Sequence, residues 1–330
     1  MGLRRAGGWR RHALGLALLV AAASPSLSGP ADDPAQLLLK DDFEGTDFAA
    51  KGGLFYKDSI EQRAGRVTFQ NTDVEAGTGA VTLSVNPACG SHADADCAER
   101  AEVWERPEVL AGYDQTVWYG LSVNLDDPVP QDDARYVIMQ WKREALPLGD
   151  GDYSPFMAVR LYQGHLGVTV ETDLVETYPI GGPDRPDGCR PGEALVLNRP
   201  TVGQTRALVA METGTNRANY PGYFDSCTSA ITVTRHGELP PAQNGWIDFV
   251  FRSSPGPHGN GHVEIFADGR PIASVRGHIG HDGPGFDKNQ YFKFGPYRAP
   301  SALPWSVTYD NFRRGPRCAD VMRGGQCPLD

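Results

Sequence analysis

Tyr291-Phe292-Lys293-Phe294-Gly295-Pro296-Tyr297-Arg298 is the stretch from which the rest of the chain is read. In a strand, successive side chains point to opposite faces. That places Phe292 and Phe294 in a core, and Tyr291, Lys293 and Tyr297 on the opposite, wet face. Lys293 and Tyr297 then stand roughly 13 Å apart at their backbones, so both reach one extended ligand. A phenol suits acid-base work only where a cation favours its phenolate, and Lys293 can help to do that. The plainer reading is an amphipathic edge strand with half-buried tyrosines, so the other strands have to decide.

Working outward, short runs alternate in the same way. Ala80 to Val85, Thr116 to Val123 and Trp246 to Phe251 are rich in β-branched and aromatic residues. Gly (39) and Pro (26) are abundant and no long helical periodicity is found. Many short strands with polar turns predict an all-β sandwich or jelly roll. No internal repeat or second composition regime appears, so residues 31–330 are expected to form one domain. A Pro/Gly-rich excursion at about 181–245, carrying Tyr220, Tyr223 and Phe224, is expected as a loop insertion that serves as lid, binding wall or decoration.

Residues 1–30 have the shape of a secretion signal: Arg4, Arg5, Arg10 and Arg11 precede the apolar stretch Ala13 to Ala23, and small residues follow. The apolar stretch is too short to span a bilayer. Removing the segment takes four arginines and no acids, so the formal charge moves from −10 to −14. The reading is a secreted or periplasmic protein, expected as a monomer, with no membrane partner. Strong acidity argues against nucleic acid but leaves open a local basic groove for an anionic polymer. Six cysteines in an exported chain suggest disulfides. Proximity favours Cys89–Cys97, Cys189–Cys227 and Cys318–Cys327, although six cysteines allow fifteen pairings.

Two further strands can complete a site. In Glu99-Arg100-Ala101-Glu102-Val103-Trp104-Glu105-Arg106, Ala101 and Val103 face one way, while Arg100, Glu102, Trp104 and Arg106 face the other. An aromatic within a polar row suits stacking on sugar rings and pairing with carboxylates. In Tyr136-Val137-Ile138-Met139-Gln140-Trp141-Lys142-Arg143, Val137, Met139 and Trp141 are expected in the core. Tyr136, Ile138, Gln140 and Lys142 are expected on the opposite face. Salt-bridged surface and a core hydrogen-bond network are the plainer readings of these two strands taken singly.

Together the strands offer Arg100, Gln140, Lys142, Lys293 and Tyr297, a set of donors and cations with one titratable phenol. Such a set suits β-elimination from a uronic-acid polymer. Donors that neutralise the uronate stabilise the enolate-like intermediate, and Tyr297 takes the C5 proton and returns one to the leaving oxygen. No metal or organic cofactor is required.

At these residues the sequence resembles the jelly-roll polysaccharide lyases, the group of alginate, glucuronan and heparinase-type enzymes. Arg100-Ala-Glu-Val resembles their Arg-x-Glu-(Leu/Val) strand, Ile138-Met-Gln-Trp-Lys their Gln-(Ile/Val)-His strand, and Tyr291-Phe-Lys-Phe-Gly-Pro-Tyr their Tyr-Phe-Lys-x-Gly-x-Tyr strand. Trp246 to Val250, Val263 to Gly269 and Val307 to Phe312 extend the resemblance over most of the chain. The resemblance implies a concanavalin-like sandwich of two antiparallel sheets with a concave groove for an anionic polysaccharide. Arg100 and Gln140 would bind and neutralise the uronate, Tyr297 would act as base and acid, and Lys293 would be its electrostatic partner. Lys142, Trp104, Arg106, Tyr291 and Arg298 would line the substrate, with Glu102 orienting neighbouring cations. The architecture can hold a structural calcium on a loop, although no Asp-rich run here demands one.

One departure stands out. Where the family usually has histidine two residues after the glutamine, this chain has Lys142. His165, His258, His262, His278 and His281 are the candidates to reach the site from elsewhere. Two other functions compete. Glu171-Thr-Asp-Leu-Val-Glu176 matches the Glu-x-Asp-x-x-Glu pattern of laminarinase-type glycoside hydrolases, which need two carboxyl groups roughly 5 Å apart as nucleophile and acid/base. A non-catalytic carbohydrate-binding protein would keep the groove and Trp104 but need no Tyr297 phenol.

Overall fold

Phe286–Arg298, the strand that carries the opening stretch, lies inside a twelve-stranded antiparallel sheet. The protein is described by a computed structural model covering residues 33–48, 55–58 (backbone alone), 65–89, 99–125, 128–146, 154–199 and 203–327. The secretion segment read at 1–30 lies outside these residues. Asp33–Asp330 is one compact unit. No helix among the described residues is long and apolar enough to cross a membrane.

Across the twelve-stranded sheet the order is Tyr178–Pro179, Ser226–Thr228, Ala194–Arg199, Gln204–Met211, His165–Thr172, Met157–Tyr162, Tyr136–Ala145, Phe286–Arg298, Val103–Glu105 and Phe55–Asp58. Glu99–Arg100 and Ala111–Gly112 also pair with Phe286–Arg298. A nine-stranded sheet packs against it, built on Val117–Leu125 with Trp246–Ser253 on one side and Trp305–Gly315 on the other. This is the two-sheet jelly-roll sandwich expected from the alternating runs.

The interface between the sheets explains the alternation. Phe292 lies 4.7 Å from the Trp141 ring and 5.1 Å from Tyr119, and Phe294 lies 4.7 Å from Tyr309. Trp141 in turn meets Phe251 at 4.7 Å. Tyr119, Phe251 and Tyr309 belong to the opposite sheet, so these rings fix which face of the larger sheet is inner. Removing such aromatic area from water is the main favourable term holding sandwiches together.

Several local expectations are corrected. The stretch 181–245 is no loop excursion: it contains Ala194–Arg199, Gln204–Met211, Ser226–Thr228 and Ile231–Arg235, which extend both sheets. Its Gly and Pro residues punctuate short strands. In Tyr136–Ala145 the ladder skips Ile138, because Met139 pairs with Phe294 and Val137 with Tyr297. That bulge reverses the parity before it. Tyr136 therefore turns inward, with its ring 5.0 Å from Trp305, and Val137 takes the outer face. Arg298, expected along the substrate, pairs with Tyr136 and turns inward too. It is buried, with Nε donating to Glu99 Oε2 at 2.6 Å. Glu99 to Arg106 is two short strands, interrupted at Ala101 and Glu102.

Disulfides join Cys189 to Cys227 and Cys318 to Cys327. Cys89 is disulfide-bonded as well; Cys97, its expected partner, lies outside the described residues. Among the described residues the one cluster with metal-ligand spacing is Cys189, Glu193 and Cys227, and its two sulfurs are tied up in a disulfide.

Candidate active site

Past Phe294 the central strand bulges at Gly295 and Pro296 before pairing resumes at Tyr297. Gly295 has φ of 123°, a region that favours glycine. A Cβ there would collide with the Ala101 carbonyl and lie 2.9 Å from the Glu102 Cα. The Ala101 N–H donates to the Pro296 carbonyl at 2.9 Å. Glycine thus lets the Ala101-Glu102 segment cross tightly over the bulge, which delivers the Glu102 carboxylate to the outer face.

Glu102 is fully buried there. Lys293 Nζ donates to its Oε2 at 2.9 Å, and Gln140 Nε2 donates to its Oε1. Gln140 and Lys293 are cross-strand neighbours, and Lys293 also pairs with Trp104. The Lys293 ammonium sits 4.7 Å from the Trp104 ring centroid, and Trp104 stacks on Tyr291 at 5.3 Å and 24°. Glu102 therefore neutralises a buried lysine and fixes the orientation of the Gln140 amide.

Tyr297 lies on the same face, in register with Val137 and Arg100. Two guanidiniums flank its ring, Arg100 at 4.7 Å and Arg135 at 4.6 Å from the centroid. The cations beside this phenol are thus arginines, whereas Lys293 is held by Glu102. Arg135 was missed in the sequence because it sits one residue before the strand Tyr136–Ala145. Lys142 is cross-strand from Tyr291. Arg106 is half-buried, at the start of the short helix Pro107–Val109.

A second charged cluster occupies the same face on neighbouring strands. Glu171 is fully buried and accepts from Arg206 Nε at 2.6 Å, with Arg199 at 3.5 Å and Arg160 at 4.0 Å. Burial works to raise its carboxyl pKa, but Arg206, Arg160 and their neighbours outweigh this and hold it below the usual range. Glu176 lies outside that cluster and is held low by hydrogen bonds from Tyr178 (2.6 Å) and Ser229 (2.8 Å). A retaining hydrolase needs one carboxyl kept protonated as its acid. Both carboxylates are held ionised by partners of their own, so the hydrolase reading of Glu171 and Glu176 is not favoured.

Of the five candidate histidines, His165 pairs with Glu212, His262 with Glu264, His258 with Asp282, and His278 with the Pro257 carbonyl. His281 alone among them is set against the charges of Glu171, Asp173 and Lys142. It is buried, neither ring nitrogen has a well-formed hydrogen bond, and its ring lies parallel to Phe286 at 6.1 Å. Burial pushes its pKa down, against the pull of Glu171 and Asp173.

Residues 43–313 match the family described as Polysaccharide lyase. Among solved structures, the endo-β-1,4-glucuronan lyase from the fungus Trichoderma reesei is similar over 86% of this chain and 97% of its own, with a TM-score of 0.54 and 16% identity. The alginate lyase A1-II', of polysaccharide lyase family 7, is similar over 86% of this chain and 95% of its own, with a TM-score of 0.40 and 14% identity. At 16% identity the likeness to the glucuronan lyase is one of fold. No match is found among curated proteins. The family match spans most of the chain and includes all three strands that build the outer-face site: this protein belongs to the polysaccharide lyases.

Proposed function

We propose that this polysaccharide lyase cleaves a uronic-acid-containing anionic polysaccharide by β-elimination. The observation that carries the reading is the placement of the Tyr297 ring between Arg100 and Arg135, on the same face as the Gln140–Glu102–Lys293 cluster. A phenolate formed at Tyr297 has two positive charges beside it. It takes the C5 proton of the bound uronate, the C4–O bond breaks, and a C4=C5 double bond remains. The tyrosine hydroxyl then returns the proton to the departing oxygen. Arg100 and the Gln140 amide face the uronate carboxylate, where negative charge develops. Lys293 and Glu102 hold Gln140 and Trp104 in place. The scheme uses no metal and no organic cofactor.

Export to the periplasm or medium belongs to the same reading. Its supports are the arginine-led apolar segment before residue 31 and the disulfides, which persist in oxidising compartments. The test is to incubate purified mature protein with a panel of polyuronides and glycosaminoglycans and follow the ultraviolet absorbance of an unsaturated uronate. A rise on one of them supports the proposal and names the polymer. New reducing ends on a neutral β-glucan, with no absorbance change, would overturn it.

A further inference from the structure

The cluster around Glu171 is more than compensation for one buried acid. Three guanidiniums surround a single carboxylate, and their remaining partners are neutral: Arg160 donates to Thr169, and Arg199 to Ser154 and Gln204. The Tyr162 hydroxyl beside them is kept neutral, because burial raises its pKa. Among the described residues about two positive charges are therefore left over. Of the nearby acids, Asp173 lies against His281, and Asp133 acts on Tyr223 and accepts from Gln163. Burial, and then the charge of Arg206, push the Arg160 pKa down to about 10, whereas at Arg206 burial is outweighed by the pull of Glu171 and the pKa is raised. Buried charge without a counter-charge is costly, and among the described residues no further carboxylate is paired with these arginines, so an anionic ligand can supply one.

Position ties this surplus to the candidate active site. Arg160 is in register with Val137, and Val137 with Tyr297. Arg160 thus stands two strands from Tyr297 on the same row, about 10 Å at the backbones. The charge of Arg135, which flanks Tyr297, is felt at Arg160. Arg100, Arg135, Arg160, Arg206 and Arg199 so form one basic track across the outer face of an acidic protein. Access grows along it: the side chains of Arg160, Arg206 and Arg199 are 3%, 13% and 23% exposed. Tyr223, 44% exposed, lies within electrostatic reach of Arg206 and Arg160 and offers a ring for stacking on a sugar.

We propose that Arg160, Arg199 and Arg206, walled by Tyr223, form an anion-binding subsite that holds a carboxylate or sulfate of a sugar unit remote from the one cleaved. The substrate is then a polymer with negative charge on several units along the chain. This rests on the β-elimination reading for its location, but its test does not depend on turnover.

The experiment measures polymer affinity in Tyr297→Phe protein, which is expected not to consume its ligand, against the same protein carrying Arg199→Gln or Tyr223→Ala. The probes are polyglucuronate, alginate, a dextran sulfate and a uronate disaccharide, run at two salt concentrations. Losing one charged contact should weaken the preferred long polymer about tenfold and flatten its salt dependence, while the disaccharide binds all three proteins alike. Preference for the polyuronides or for dextran sulfate tells carboxylate from sulfate. Tyr223→Ala, at an exposed position, guards against a folding defect in Arg199→Gln. Unchanged polymer affinity in both added variants, or no polyanion bound by the parent, overturns the subsite. If affinity depends on Arg199 while wild-type protein yields no unsaturated product, the elimination reading fails and the subsite stands.

Discussion

Gly295 and Ala101 are packed so closely that no side chain can be placed on Gly295 without striking the Ala101 carbonyl. This crossing carries Glu102 to Lys293 and Gln140. Gly295→Ala is expected to lose the crossing twice over, through the collision and through its φ of 123°. Strain of that kind costs about 1–3 kcal/mol even without a clash. The expected result is a lowered thermal midpoint with activity reduced more than tenfold at a temperature where the protein remains folded. Full activity would show that the placement of Glu102 does not matter.

The Lys293–Glu102 pair should show its coupling in a double-mutant cycle. Glu102→Gln leaves a buried ammonium and Lys293→Met leaves a buried carboxylate, and breaking such a pair costs about 3–5 kcal/mol. The double variant Lys293→Met/Glu102→Gln should cost clearly less than the sum of the two. Urea unfolding of the four proteins measures this; additive losses would mean that the two groups do not depend on each other.

Much of this arrangement was legible in the sequence, and what was missed has physical causes. Phe292, Phe294, Met139 and Trp141 follow strict alternation, so their core positions could be read directly. A single bulged residue, Ile138, then moves every side chain before it to the other face, and alternation carries no mark of where a bulge falls. That is why Tyr136 was expected outward; Arg298 follows the alternation of its own strand inward with Phe292 and Phe294, and the resemblance had placed it along the substrate against that alternation. Arg135, Arg160, Arg199 and Arg206 come from four separate strands or strand ends. Only sheet order brings them together, and sheet order is not written in local periodicity. The acids show the limit of motif reading: Glu171 and Glu176 have the spacing of a hydrolase pair, but Arg206 and its neighbours decide what Glu171 does.

Acid stability should carry the signature of His281. Its folded pKa is depressed below the ordinary 6.5 by burial. Above 6.5 the ring is neutral in both folded and unfolded chains and adds no pH dependence. As pH falls below 6.5 the unfolded chain takes up the proton first, so folding stability declines until the depressed folded pKa is passed. Urea midpoints should therefore fall between pH 6.5 and pH 5 in the wild type, and Gln at position 281 (His281→Gln) should flatten that slope. An identical slope in both proteins would remove His281 from the account.

The Cys189–Cys227 bridge closes a loop with a sequence separation of 38. On the chain-entropy view a loop of that size stabilises by about 4 kcal/mol. The double variant Cys189→Ser/Cys227→Ser should lose stability of that order in urea unfolding. A loss confined to a few tenths of a kcal/mol would mean that the strands around Ala194–Arg199 hold themselves without it.

The most direct test of the central claim is the Tyr297→Phe substitution, which removes one hydroxyl and leaves the ring between Arg100 and Arg135. Unsaturated-product absorbance would be followed for wild type and variant on the polymer the wild type cleaves, with polymer affinity measured alongside. The account predicts a fall in kcat of at least about 100-fold, the scale of general acid-base catalysis, with affinity nearly unchanged. A Tyr297→Phe enzyme that forms product at the wild-type rate would contradict it.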